Sequence, residues 1–196
     1  MNLKKAHNRL GAASSLGVPN RSKNTNPKVG IFWHNLLMLK LITAITPDYI
    51  EVVRALFYEY AKELNIDLQF QNFEEELAEL PGKYSSPEGV LALAYWNESL
   101  AGCVGLRPIQ LDAYPNACEM KRLYVRPQFR ENGIGFKLME LLIEEAKSKS
   151  YKFLLLDTLP FLTKAQVLYR RFGFSKIDAY YKTPFQDITY FKLDLT

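Results

Sequence analysis

The pattern of apolar and polar positions predicts a regular succession of strands and helices from Leu39 to the C-terminus. The stretch LKLITAI (39–45) is rich in β-branched residues and is predicted to be a strand. Thr46-Pro47-Asp48 then supplies an N-cap, a proline at the first helical position and an acid in the first turn, which indicates a helix start. Apolar residues recur at helical spacing up to Leu64. A second, shorter helix is predicted over FEEELAEL (73–80), because a proline and a glycine follow it.

Most of the predicted strands lie in the second half of the chain. Three strand candidates come first, and they are VLALAYW (90–96), LAGCVGLRPI (100–109) and ACEMKRLYV (117–125). A helix is predicted from about Ile134 to Lys149, followed by the apolar strand KFLLLDT (152–158). A short helix that Gly173 ends and the alternating strand DITYFKLDL (187–195) complete the order. This order predicts an α/β fold with a mixed, mostly antiparallel sheet of six to seven strands, about four helices and one βαβ crossover.

The first 37 residues differ from the rest in composition. They hold six of the 25 basic residues and none of the 21 acidic ones, so the net charge of +4 becomes −2 over residues 38–196. We therefore divide the chain into a basic, flexible leader (1–37) and a domain (38–196). The leader is compatible with a transit peptide, with a tail for an acidic partner, or with translation that naturally starts at Met38. Because the basic charge lies outside the domain, no nucleic-acid partner is expected.

Composition narrows the class of protein further. No apolar run approaches the ~18 residues that cross a bilayer, so no membrane association is expected. The two cysteines, Cys103 and Cys118, have no metal-binding or redox spacing. They are interpreted as buried apolar residues in a reducing compartment, with a disulfide as the alternative, and we expect a cytoplasmic protein without a metal.

A glycine loop between the third of these strands and the long helix is the main chemical feature of the sequence. Arg130, Gly133 and Gly135 follow a strand that ends near Val125. A glycine inside a helix costs about 1 kcal/mol relative to alanine, so two glycines at its start must serve the loop. The first amides of a helix attract anions, which favours a phosphate site, and a turn that needs positive φ is the alternative. No Gly-Lys-Ser/Thr sequence follows, and Leu138 stands where a dinucleotide-binding loop needs its third glycine.

Two segments resemble one protein family. LYVRPQFRENGIGFKLMELLIEEA is similar to the acyl-CoA-binding motif of the GNAT N-acetyltransferase superfamily, Gln/Arg-x-x-Gly-x-Gly/Ala, which Arg130, Gly133 and Gly135 match in place. AQVLYRRFGF resembles the following helix of that family, with its Leu-Tyr-x-x-x-Gly-Phe ending. The resemblance covers Leu39 to the C-terminus and implies a GNAT-like sheet that is splayed around a central βαβ acyl-CoA site.

The resemblance also implies site residues. The backbone of Leu123, Tyr124 and Val125 would pair with the pantetheine arm of acetyl-CoA, and Val125 would supply the oxyanion amide. The pyrophosphate would bind the Arg130 side chain and the amides of Glu131, Asn132, Gly133, Ile134, Gly135 and Phe136. Tyr169 would be the general acid for the thiolate. Glu119 stands where a base occurs in part of the family, and the alternative is a strand residue that is either solvated or ion-paired with Lys121 or Arg107.

The predicted function is acetyl-CoA-dependent transfer of an acetyl group to the primary amine of a small molecule or amino-acid-like acceptor, by direct attack in a ternary complex. The alternatives are a non-catalytic acyl-CoA sensor and a protein N-terminal or lysine acetyltransferase. The segment from Leu64 to Ser86 is expected to line the acceptor cleft and to recognise the acceptor. Its Asp67, Gln69, Gln71 and Glu74–Glu76 favour a cationic acceptor, although a glutamate run is also typical of a solvated helix face. The protein is expected to be a monomer or a homodimer.

Overall fold

The structure is a computed structural model that describes residues 31–33, 38–43, 46–66, 68–185 and 187–196, and for 31–33 and residue 70 only the backbone. Its strands form one sheet in the order β1-β2-β3-β4-β5-β6-β8-β7. The strands are β1 (Ile31–Trp33), β2 (Leu39–Thr43), β3 (Val90–Trp96), β4 (Ser99–Ile109), β5 (Ala117–Val125), β6 (Phe153–Thr158), β7 (Ser175–Ile177) and β8 (Thr189–Asp194). The α-helices are α1 (Pro47–Leu64), α2 (Phe73–Glu79), α3 (Ile134–Ser148) and α4 (Thr163–Arg171), and short 3-10 turns cover Gln69–Gln71, Gly82–Tyr84 and Pro127–Phe129.

These elements confirm the predicted fold class. From Leu39 onwards the described residues contain seven strands and four α-helices, and only the β5–β6 pair is parallel. The remaining strand, β1, lies within the predicted leader and pairs antiparallel with β2. Residues 1–30 and 34–37, with both histidines, lie outside the described residues, as do positions 44–45 and Asp67. The division at Met38 stays a prediction.

The sheet separates two hydrophobic cores. Helices α1 and α2 cover one face, with Val53, Leu56 and Phe57 fully buried against alternate residues of β3 and β4. Helices α3 and α4 cover the other face. There Leu138 and Leu142 belong to the same buried cluster as the strand residues whose side chains point away from α1 and α2, such as Ala92 and Val104. Both cysteines are buried and unpaired, as the interpretation of them as core residues predicts. None of the helices in the described ranges is long and apolar enough to cross a membrane.

The sheet opens between its two central strands. β5 and β6 pair only over Ala117–Glu119 and Phe153–Leu155. Beyond these residues β5 continues along β4, while β6 continues along β8. The two strands therefore part after Glu119 and Leu155, and the predicted splay lies between them.

A β-bulge in β5 lies where the strands part. Cys103 pairs with Tyr124 and Gly105 pairs with Lys121, so a single β4 residue opposes both Arg122 and Leu123. Arg122 takes a φ of 59°, which is uncommon for a residue other than glycine. A bulge re-aims side chains and strengthens the local twist. The bulge lies in the part of β5 that no longer pairs with β6.

Candidate active site

A cleft of about 650 Å³ occupies the gap between β5 and β6. Its outer end is formed by the end of β5, the glycine loop (130–136) and the start of α4. Its inner end lies near the point where the strands part, and we define it by Gln71, Lys121, Arg122, Asp157 and Thr158. Most of the side chains between the two ends are apolar.

The glycine loop has the geometry of an anion site. Gly133 is the N-cap of α3 with a φ of 74°, a left-handed conformation that favours glycine. A Cβ atom on Gly135 would lie 3.8 Å from Val125 Cγ2 and 3.9 Å from Leu168 Cδ2, and both of these residues line the cleft. The missing side chain therefore leaves room inside the cleft, directly beside the first amides of α3, which have no partner within the helix.

The other loop residues take distinct positions. Glu131, Ile134 and Phe136 line the cleft. Asn132 is not among the lining residues, because its side-chain amide donates to the carbonyl oxygens of Phe129 and Arg130 at 3.1 and 3.2 Å. Its side chain therefore closes the loop, and the binding role of its backbone amide stays a prediction.

Charged pairs hold the outer end together. The Arg130 guanidinium donates to the Val125 carbonyl oxygen at 2.9 Å and forms an ion pair with Glu63 of α1. Across the loop, Lys164 of α4 lies 2.7 Å from the Glu131 carboxylate. All four ionised side chains of these two pairs are more than a third exposed, so solvent screens the pairs. Both cations are close enough to the glycine loop to meet a pyrophosphate.

The end of β5 presents its backbone to the cleft. Leu123, Tyr124 and Val125 all line it, and the register pairs Tyr124 and Val125 with β4 on the opposite edge. The edge that faces β6 has no strand partner there among the described residues. An extended ligand can therefore pair with this edge as an additional strand would.

Tyr169 on α4 lines the same cleft. Its ring packs against those of Phe174 and Phe191, with centroids 6.0 and 5.9 Å away. Within the described part of the chain its hydroxyl makes no hydrogen bond. Burial raises the pKa of Tyr169 well above its ordinary value, and the neighbouring Tyr60 and Asp157 raise it further. The hydroxyl is therefore protonated throughout the neutral range and is available to donate to a ligand.

Three buried or partly buried ion pairs lie at or beside the inner end. Arg122 binds Glu76 through two hydrogen bonds of 2.7 and 3.2 Å, and the side chains are 3% and 7% exposed. The other pairs are Lys121 with Asp157 at 2.7 Å and Arg107 with Glu119 at 2.7 Å. Three cations thus face three anions, and each charge is at least partly buried beside its partner.

Glu119 lies outside the cleft lining. Its Oε2 accepts from Arg107 at 2.7 and 2.9 Å, and its Oε1 accepts from the Tyr180 hydroxyl at 2.9 Å. Lys121 lies 3.7 Å from the same carboxylate. These contacts agree with the alternative to a catalytic base, in which Glu119 is a strand residue ion-paired with Arg107 and Lys121. Its role as a base stays a prediction.

Asp157 and Gln71 are candidate site residues that lie outside both motifs, although Gln71 belongs to the segment that is expected to recognise the acceptor. The Gln71 side-chain amide donates to Asp157 Oδ2 at 3.3 Å and to the Tyr181 hydroxyl oxygen at 3.2 Å. Burial raises the pKa of Asp157, but the charge of Lys121 and its hydrogen bond outweigh this and lower it overall. The available signal was a charged residue at the end of the otherwise apolar strand β6.

Two further polar atoms at the inner end have no visible partner. Gln71 Oε1 and Thr158 Oγ1 are buried and make no hydrogen bond to any described residue. Buried polar atoms are nearly always paired, and both of these residues line the cleft. The described residues contain no group of three or more His, Cys, Asp or Glu side chains that could hold a metal.

Comparison with known proteins identifies the family. The model of the acetyltransferase (GNAT) family matches residues 51–174. An uncharacterized N-acetyltransferase of Dictyostelium discoideum is 36% identical over 217 aligned residues, which cover 81% of this chain and all of that protein. The chain therefore belongs to the GNAT family, and the predicted enzyme class, an N-acetyltransferase, is confirmed.

Solved structures support the fold. An acetyltransferase of the GNAT family from Staphylococcus aureus Mu50 superposes with a TM-score of 0.65 at 24% identity, over 81% of this chain and 99% of that one. The yncA protein of Salmonella typhimurium, solved with its cofactor acetyl-CoA, gives a TM-score of 0.62 at 17% identity, over 81% and 95%. The splayed GNAT-like sheet predicted from the two motifs is thereby confirmed.

Proposed function

We propose that this enzyme transfers the acetyl group of acetyl-CoA to the primary amine of a small acceptor, by direct attack while both substrates are bound. The observation that carries the proposal is a single cleft that joins the glycine loop, the Tyr169 hydroxyl and the inner end. Acetyl-CoA and the acceptor can therefore meet inside the cleft without a covalent enzyme intermediate. The same fold holds acetyl-CoA in the yncA structure, which supports this choice of acyl donor.

The residues of the outer end fit the acyl donor. The amides at the start of α3 and the Arg130 side chain would bind the pyrophosphate, and the missing side chain at Gly135 would admit it. The backbone of Leu123–Val125 would pair with the pantetheine arm, which would direct the thioester towards the inner end. Lys164 adds a cation beside the same loop, and neither motif pointed to it.

Tyr169 would act on the leaving sulfur. A thiol has a pKa near ~8.5 and a phenol near ~10, and burial raises the pKa of Tyr169 above that value. Complete proton transfer to the thiolate is therefore uphill. The hydroxyl would stabilise the departing sulfur by a hydrogen bond, and the thiol would gain its final proton in exchange with solvent.

The acceptor must lose a proton before it attacks. An alkylammonium has a pKa near ~10.4, so the neutral amine costs about 4 kcal/mol at neutral pH. The lowered pKa of Asp157 makes this carboxylate a weak base, and Glu119 is occupied by Arg107 and Tyr180. Water would therefore remove the proton, and the rate is expected to rise with pH as more amine becomes neutral.

Calorimetric titration of the full chain with acetyl-CoA tests the proposal. The parent should bind, and a Gly135→Glu variant should not, because its side chain would fill the cleft between Val125 and Leu168. Ser148→Glu introduces the same charge at an exposed position of the same helix and should bind as the parent does. A folded parent that does not bind acetyl-CoA would overturn the proposal.

A further inference from the structure

Hydrogen-bond acceptors without a full set of partners lie at the inner end of the cleft. Gln71 Oε1 has no partner among the described residues, and Asp157 Oδ2 accepts a long hydrogen bond of 3.3 Å from the Gln71 amide nitrogen. The nearby cations are already engaged, since Lys121 lies 2.7 Å from the other Asp157 oxygen and Arg122 binds Glu76, whereas the unpaired Thr158 hydroxyl can serve as donor or acceptor. A ligand that satisfies Gln71 Oε1 must therefore donate a hydrogen bond, because an amide oxygen can only accept.

The orientation of the Gln71 amide follows from its neighbours. Its nitrogen faces Asp157 Oδ2, and a flipped amide would place its oxygen against that carboxylate oxygen. Two acceptor atoms at this distance would repel each other and leave the nitrogen without these partners. The oxygen of Gln71 is thus held in the buried position where it lacks a partner.

The wall around these polar atoms is apolar. It comes from the end of α1, the segment that follows it, the loop after β6 and the residue before β8. The contributing residues are Leu64, Ile66, Leu68, Leu159, Leu162 and Ile188. A ligand that donates hydrogen bonds at one point must therefore carry an apolar body beside it.

We propose that Gln71 and Asp157 form the subsite for the acceptor nitrogen, and that the acceptor is a primary amine on an apolar carbon skeleton. This inference rests on the proposed function and narrows its substrate class. A neutral amine has two N–H donors and one lone pair. When Gln71 Oε1 and Asp157 Oδ2 accept hydrogen bonds from the two N–H groups, the lone pair of the nitrogen is left to attack the thioester carbonyl.

Acetyl transfer to the amine needs no chemical group beyond the two substrates, solvent, Asp157 and Tyr169. The amine nitrogen forms a bond to the acetyl carbon, and the bond between that carbon and the CoA sulfur breaks. The nitrogen becomes cationic as it attacks, and the negative charge of Asp157 stabilises that developing charge. The proton lost from the nitrogen passes to solvent, while the thiolate leaves with the Tyr169 hydroxyl as its hydrogen-bond donor. One amine and one thioester thus give one amide and one thiol.

The charge balance argues against an acceptor with a carboxylate next to the amine. The three cations around the inner end are each bound to an anion, so an additional carboxylate would be buried beside Asp157 without a cation of its own. An amino acid would meet this repulsion, whereas a simple alkylamine would not.

Two matched probes test the substrate class. Pentylamine and norleucine share the same alkyl chain and differ by the α-carboxylate. Release of CoA thiol from acetyl-CoA should show a kcat/KM for pentylamine at least about tenfold above that for norleucine. Norleucine as the equal or better acceptor would overturn the inference. A protein that binds acetyl-CoA but transfers no acetyl group to pentylamine would also overturn the inferred substrate class. That result would not contradict the acetyl-CoA site of the proposed function.

A substitution at Gln71 tests the subsite itself. Gln71→Leu should lower kcat/KM for pentylamine about tenfold, mainly through KM, because a donor of the amine loses its partner. The affinity for acetyl-CoA should not change, which also shows that the variant is folded. Gln110→Leu, at an exposed position outside the cleft lining, is the matched control and should behave as the parent. An unchanged KM in Gln71→Leu would overturn the assignment, whereas loss of acetyl-CoA binding by the parent would overturn the proposed function with it.

Discussion

The two ends of the cleft are built in different ways. The outer end consists mainly of the backbone of one continuous segment, from the end of β5 through the glycine loop into α3, together with ion pairs that solvent reaches. The inner end consists mainly of buried or partly buried side chains, and the ion pairs in and beside it join four separate elements: Arg122 with Glu76, Lys121 with Asp157 and Arg107 with Glu119. An acyl donor shared by a whole family can be held by a common backbone, whereas an acceptor must be recognised by side chains.

The ion pairs at the two ends of the cleft are also expected to contribute differently to the free energy of unfolding. An exposed ion pair contributes about 0–1 kcal/mol, because solvent competes with each partner. A buried pair is costly to break, since removal of one partner leaves the other charge without solvent or a counter-ion. We therefore expect substitutions at the inner end to affect folding, and substitutions at the outer end to affect binding of acetyl-CoA.

Arg122→Met should give the largest effect on stability. It leaves the Glu76 carboxylate buried beside Tyr84 alone, and the expected loss is about 3–5 kcal/mol in the free energy of unfolding. Urea unfolding measures this loss.

The double variant Arg122→Met, Glu76→Leu is its control. It removes both charges and should recover a large part of the stability, because no uncompensated charge remains. A double variant that is less stable than Arg122→Met alone would contradict this account of the buried pair.

Tyr169→Phe should separate catalysis from binding. The hydroxyl makes no hydrogen bond to a described residue, so its removal should leave the unfolding midpoint almost unchanged. Loss of the donor to the leaving sulfur should lower kcat roughly 100-fold or more, with the affinity for acetyl-CoA preserved. Steady-state kinetics and calorimetry on the same preparation measure both quantities. A kcat close to that of the parent would remove Tyr169 from the mechanism.

The difference between the two ends also explains how far the sequence could predict them. The glycine loop is local, so Arg130, Gly133 and Gly135 could be recognised from their spacing, and the strands and helices followed from apolar periodicity. Gln71 and Asp157 are 86 residues apart, and only the parting of β5 and β6 brings them together. Glu119 shows the same limit, because nothing in its spacing distinguishes a base from a partner of Arg107 and Tyr180.

Acid should destabilise the protein through the inner end. Burial raises the pKa of Glu76, but the hydrogen bonds and charge of Arg122 and the Tyr84 hydroxyl outweigh it, so this pKa lies below its ordinary value of 4.5. The pKa of Asp157 is likewise below its ordinary value of 3.8. Groups with a lowered pKa stabilise the fold above the ordinary value, and this contribution is lost as the pH falls through the lowered one.

Urea unfolding between about pH 5 and about pH 3 measures this loss, and stability should fall steadily over that range. Glu76→Gln carries one carboxylate fewer, so its stability should depend less on pH there, although it starts from a lower value at neutral pH. A pH dependence as steep as that of the parent would show that the acid sensitivity arises elsewhere.

Arg130→Met should have the smallest effect on folding. Arg130 and Glu63 are 43% and 39% exposed, so loss of their pair should cost no more than about 1 kcal/mol. The affinity for acetyl-CoA should nevertheless fall about tenfold, because a charge-assisted hydrogen bond to the pyrophosphate is lost. Arg54→Met removes a comparable surface ion pair, to Glu51 on α1, outside the cleft lining, and should leave that affinity unchanged. Equal affinities in the two variants would mean that the amides of the glycine loop bind the pyrophosphate without Arg130, and that the outer end depends on its backbone alone.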